Sequence, residues 1–243
     1  MAAFLFGLLV LSSLLISGAL YFDVVAATPI FLLLVGGVHI IFAFFFYKNH
    51  RHYHAVHKLV TLGRGELFLL AISNLILSTR IRVLREHYRL RKCQGLALTG
   101  QPLEALTAVE EYRREVKKPG AFALDVLAVE IEANLQLGQL TWAEEAMERA
   151  RKEAGFRAHE GLQAVAAHLQ SERGEPDQAA DALKGLLRVK DWSLTRCLRA
   201  RNLFWYGRAL MKAGREEDGK STLSRAHKKA PESFYGQLAD RPF

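Results

Sequence analysis

The sequence predicts an all-α protein in two parts: a two-helix transmembrane hairpin followed by a solenoid of helix–turn–helix repeats. Three observations carry this prediction. The first 47 residues hold one charged side chain, Asp23, and the other 196 hold all the rest. A folded aqueous surface needs charge scattered throughout, so that distribution points away from a soluble N-terminal domain. From about Arg80 onward, apolar residues follow the helical period with no alternating strand-like run, and glycines recur at intervals close to the length of a helix pair.

The hairpin is expected over residues 1–47. Ala2 to Phe22 is uncharged, and a second apolar run extends from about Pro29 to Tyr47. Each has roughly the 20 apolar residues that a spanning helix needs. Thr28 and Pro29 suit the cap and first turn of the second helix. The Ser13/Ser17 pair and Gly36-Gly37 are small enough to let the two helices approach, within the hairpin or in a homo-oligomer. No basic residue lies before or between the runs, whereas Lys48, Arg51, Lys58 and Arg64 follow the second. Positively charged flanks stay cytoplasmic, so the expectation is a multi-pass protein of the bacterial inner membrane with both termini in the cytoplasm. The alternative is a cleaved signal peptide with Val25-Ala26-Ala27 as the small-residue cleavage site, which would place the rest outside.

Residues 48–81 form a basic juxtamembrane segment. The stretch 48–92 carries ten Lys/Arg against Glu66 and Glu86, which accounts for the whole formal charge of +8, since the remainder nearly balances. Such a cluster attracts anionic lipid headgroups, with Lys48, Arg51, Lys58 and Arg64 as the lipid-contacting residues. The balanced C-terminal part argues against a nucleic-acid partner. The apolar stretch Leu67 to Leu77 is too short to span, and suits either a helix at the membrane interface or one packed on the first repeat. His50, His54 and His57 share a face at i, i+4 and i+7, a spacing that could hold a transition metal or serve a haem, as could His39 within the second run.

Four repeats are expected over 82–231, with 232–243 as a C-terminal cap. Gly100, Gly138, Gly174 and Gly214 each end an apolar-periodic stretch, and each is followed five residues later by a small residue, Ala105, Ala143, Ala179 and Gly219. The glycine suits the turn inside a helix pair, and the small residue lets the second helix press on the first. Units of this kind cannot bury their cores alone and are stable only when stacked.

These residues resemble the tetratricopeptide repeat family. The last copy is clearest: Leu203-Phe204-Trp205-Tyr206-Gly207-Arg208-Ala209-Leu210, then Gly219 and Leu223, then Ala226 and Pro231. The second copy keeps Leu137-Gly138, Ala143, Met147 and Ala150. The first and third are degenerate, with Tyr112 and Leu186 where alanine is usual. Ser233 to Ala239 is similar to a stretch in the α-superhelical part of soluble lytic transglycosylases. Two apolar helices, a basic collar and such repeats together resemble the HemY family of bacterial inner-membrane proteins, and that likeness implies an association with haem biosynthesis.

No catalytic motif stands out. There is no G-x-x-x-x-G-K-[ST], G-x-S-x-G or H-E-x-x-H, and Cys93 and Cys197 form no C-x-x-C. The expectation is therefore a non-enzymatic adaptor without a cofactor that recruits protein partners through the concave face of the repeats. The alternative is a haem- or metal-associated protein using the histidine cluster. On the concave face the expected partner-binding residues are Arg201, Phe204, Arg208, Met211 and Lys212 in the last copy, and His168 and Glu172 in the third. A basic, partly aromatic groove end suits an acidic peptide or a carboxylate terminus.

Overall fold

In the computed structural model of the protein, residues 55–56, 58–116, 122–153, 155–156, 159–188 and 196–241 are described, together with Gly37. The chain divides into two units, Met1–His54 and Ala55–Phe243. The second unit includes helices α1 (Gly65–Ser78), α2 (Arg82–Leu98), α3 (Pro102–Glu115), α4 (Ala123–Gln136), α5 (Leu140–Arg151), α6 (Glu160–Glu172), α7 (Pro176–Arg188), α8 (Arg196–Lys212), α9 (Glu216–Lys229) and α10 (Phe234–Ala239). No strand occurs among the described residues.

The helices pack as four successive pairs, α2/α3, α4/α5, α6/α7 and α8/α9, with the second helix of each pair also touching the first helix of the next. The turn inside every pair is the same. Gly100, Gly138, Gly174 and Gly214 all have φ between 71° and 90°, a region in which a side chain would clash. After each, the next residue's N–H reaches back five residues: Gln101 to the carbonyl of Leu96, Gln139 to Asn134, Glu175 to Gln170 and Arg215 to Leu210, at 2.9–3.0 Å. That bond marks the Schellman ending, which satisfies the last helical carbonyls while reversing the chain. Pro102 and Pro176 open their helices at the position where a missing N–H costs nothing.

Small residues set the closeness of each pair. Ala105, Ala143 and Ala179 are completely buried. In the last pair Gly219 lies so near α8 that a Cβ there would fall 2.4 Å from Cγ of Met211, and one on Gly207 would fall 2.8 Å from Cγ of Leu223. The core between the first pairs gathers Leu90, Cys93, Ala105, Tyr112, Val126 and Ala133. Leu203, Leu223, Ala226 and Ala239 form the core of the last pair and its cap.

Two expectations are corrected. The fold class is all-helical, but a transmembrane hairpin is not shown: among the described residues no helix is long and apolar enough to cross a membrane. The expected multi-pass placement in the inner membrane falls with it. The runs assigned to that hairpin lie in 1–47, outside the described residues apart from Gly37. The most apolar of the ten helices, α1, has 14 residues and spans about 21 Å at 1.5 Å per residue, short of a hydrocarbon core of about 30 Å. Of the two settings open to α1, packing on the first repeat is the one observed. Phe68 and Ile72 are buried against α2, and Phe68 lies over Gly95 so closely that a Cβ there would be 2.1 Å from its ring. The opposite side of α1 leaves Leu67, Leu70 and Leu77 exposed.

Candidate functional site

The first helices of the pairs, α2, α4, α6 and α8, line the inner side of the stack, where each touches the next and α2 also meets α8. In place of the expected open groove, the inner face is filled, and a buried polar cluster lies at its centre. Glu132, on the buried side of α4, has both carboxylate oxygens engaged. Arg201 Nη1 donates to Oε2 at 2.6 Å, and the Tyr235 hydroxyl donates to Oε1 at 2.7 Å. Gln136 Nε2 donates to the Tyr235 oxygen at 2.8 Å and to the carbonyl of Ala97 at 2.9 Å. The same guanidinium donates through Nε to Asn202 Oδ1 and lies 4.5 Å from the centre of the Trp205 ring. Burial and the Glu132 carboxylate beside it push the Tyr235 phenol well above its ordinary pKa, so it stays protonated and donates.

Tyr235 belongs to the C-terminal segment. Ser233 caps α10, accepting from the Gly236 N–H and donating to the Ala230 carbonyl. The Tyr235 ring meets Trp205 edge-on at 5.7 Å and lies 5.6 Å from Phe204. Phe234 covers Gly100, whose Cβ position would be 2.4 Å from the ring, and the Glu232 carbonyl sits against Gly63. The C-terminal segment thus touches the last pair and the N-terminal end of the stack at once.

Two further clusters flank this centre. The His168 imidazole stacks on Trp205 at 4.6 Å, and its Nε2 lies 3.5 Å from Glu172, whose other oxygen meets Lys212 Nζ at 2.8 Å. Hydrogen bonding from His168, opposed by partial burial and aided by Lys212, brings the Glu172 carboxyl down to about 2. Toward the other end, Asp125 accepts from Gln94 Nε2 at 3.1 Å and lies 3.6 Å from His159 Nε2. His159 Nδ1 accepts the Leu162 N–H that it caps, which leaves the ring proton on Nε2, facing Asp125. Burial alone would raise the Asp125 pKa, but the His159 bond and nearby Arg91 outweigh it and the value is lowered. His87 is driven the other way, down to about 4, by burial and the adjoining Arg91.

The expected partner-binding residues do come together, but not as a free surface. Arg201 is buried, at 6 % exposure, and its charge is taken up by Glu132. Phe204 is half-buried against Tyr235, and Met211 is half-buried beside Gly219. Arg208 is half-buried. Lys212, the exposed one, pairs with Glu172, which also meets His168. At the basic groove end expected to take an acidic peptide, Arg201 and Lys212 are each paired with a carboxylate of the chain itself. Of the residues expected to contact lipid, Lys58 and Arg64 are exposed, while Lys48 and Arg51 lie outside the described residues, as do His39, His50, His54 and His57. Among the described residues, no group of three or more His, Cys, Asp or Glu side chains could hold a metal ion.

Glu132, Trp205, Tyr235, Asp125 and His159 do not stand out in the sequence. One signal was available: Glu132 is a carboxylate inside Val129-Glu130-Ile131-Glu132-Ala133-Asn134, on the side of α4 that carries Val129 and Ala133 into the core. A charge on that side of a helix requires a buried partner. No protein-family model matches the chain, and no curated protein matches it. The likeness to tetratricopeptide repeats thus rests on the residues quoted for it, and the likeness to the HemY family on the arrangement of segments alone.

Proposed function

We propose that the chain is a helical-repeat adaptor, of tetratricopeptide type, whose inner face seats a short helical segment of a protein partner. The observation that carries this reading is the seat itself. Within the stack, α4 and α8 present Glu132, Gln136, Phe204 and Trp205, and a six-residue helix is held there by two hydrogen bonds to its tyrosine and by packing on the two aromatic rings of α8. Stacked helix pairs commonly use this face for recognition. With Glu132 and Glu172 already paired with Arg201 and Lys212, and Asp125 held by the His159 ring proton, selectivity comes from shape and a phenol-sized polar contact rather than from net charge. The test is photo-crosslinking in cells, with p-benzoylphenylalanine placed at Lys212 on the inner rim or at Lys220 on the solvent side of α9. A discrete protein adduct from position 212 and none from 220 is expected. Equal labelling from both positions, or no adduct from 212, overturns the reading.

A further inference from the structure

We propose that residues 231–240 are a built-in competitor for that seat, and that the partner is a segment presenting a tyrosine in a helical turn next to a second aromatic. This rests on the adaptor reading and deepens it. The segment has the hallmarks of a bound ligand rather than of a fifth repeat. It follows α9 after a short Ala230-Pro231-Glu232-Ser233 connection, forms a single short helix, and packs on α8 and α9 rather than opening a new pair. Its polar contacts to the body come mainly from one side chain, the Tyr235 hydroxyl, which bridges Glu132 and Gln136 on another repeat.

The seat discriminates by that hydroxyl. If an unhydroxylated ring replaced it, Oε1 of Glu132, a residue 4 % exposed, would lose a donor in a place closed to solvent. Sites built around a hydrogen-bonded hydroxyl reject analogues that lack it. An empty seat would also uncover the Trp205 and Phe204 rings, so some occupant is always favoured. The resident one is the easiest to replace. It is a single helix of six residues, and so short an element opens locally at less than the cost of global unfolding. A cleft of about 250 Å³ runs along its other side, lined by Gly63, Gly65, Thr99, Gln101, Glu232 and Phe234. Tethering gives the segment an effective concentration in the millimolar range, so a partner in trans captures the seat only after outcompeting it, and apparent affinity falls in proportion to the closed fraction.

The experiment uses the full chain and a fluorescein-labelled peptide with the sequence of residues 231–243. Fluorescence anisotropy would compare wild type with Tyr235→Ala and Tyr235→Phe, after circular dichroism melts have shown that the variants are folded. Tyr235→Ala should bind the peptide at least tenfold more tightly than wild type, with Tyr235→Phe in between. A peptide carrying Phe in place of its tyrosine should lose at least tenfold. If Tyr235→Ala proves unfolded, Tyr235→Phe alone decides, since it keeps the ring. A folded variant with no gain over wild type overturns the competitor. So does a peptide that binds equally well without its hydroxyl. Loss of this gain while the adduct at position 212 persists would refute the competitor alone. Loss of the adduct would refute the adaptor reading.

Discussion

Removing Arg201 should cost far more stability than removing an ordinary arginine from a repeat surface. In Arg201→Ala the Glu132 carboxylate remains buried and loses its guanidinium partner, keeping the Tyr235 hydroxyl at 2.7 Å on one oxygen. Breaking a buried pair from one side costs about 3–5 kcal/mol, because the surviving charge is stranded. The remaining hydroxyl bond pulls that toward the lower end, while the lost contact with the Trp205 face, about 1–2 kcal/mol when desolvated, pulls it back. The expected loss is therefore about 4 kcal/mol, a large share of a typical total of about 5–15 kcal/mol. By contrast, Arg215→Ala breaks an exposed pair with Asp218 and should cost under about 1 kcal/mol. Urea unfolding followed by circular dichroism would measure both. Arg201→Met combined with Glu132→Met should be milder than Arg201→Ala alone, since no charge is then left unpaired. A loss under about 1 kcal/mol for Arg201→Ala, or a double variant as destabilised as the sum of its parts, would refute the reasoning.

Three further outcomes are expected. His87 is neutral when folded, with its pKa lowered to about 4 from 6.5. Because the unfolded chain takes up the proton first, stability should be full above pH 6.5 and fall by up to about 3 kcal/mol as pH drops toward 4; His87→Gln should flatten that part of the urea-midpoint profile. Burial pushes the Cys93 thiol up to about 12, and Cys197 is also buried, so neither should react with a disulfide reagent in the folded chain and both should react in denaturant. Gly207→Ala would place a methyl 2.8 Å from Leu223 Cγ and 3.1 Å from the Gly219 carbonyl; it should destabilise by about 1–3 kcal/mol in thermal melts, whereas Gly185→Ala, in the open on α7, should be neutral or stabilising.

What the sequence determined by itself is local. The four turn glycines, the small residue five positions after each, and the 36–40-residue interval between them all describe one helix pair, and Gly100, Gly138, Gly174 and Gly214 take the left-handed conformation that this role demands. Helical periodicity places side chains on faces within about two turns, so pairing and all-helical class were legible from composition and spacing. The transmembrane hairpin was read from apolar length and charge alone, and no helix among the described residues bears it out. Only the tertiary structure decided the site. Glu132 meets Arg201 across 69 residues and Tyr235 across 103, because the small rotation between successive pairs accumulates until α2 and α8 touch and the cap is drawn inside. Arg201, Phe204 and Arg208 occupy one helical stripe in any reading of the sequence. Whether that stripe faces water or a buried carboxylate depends on the winding of the whole stack, which no single repeat encodes.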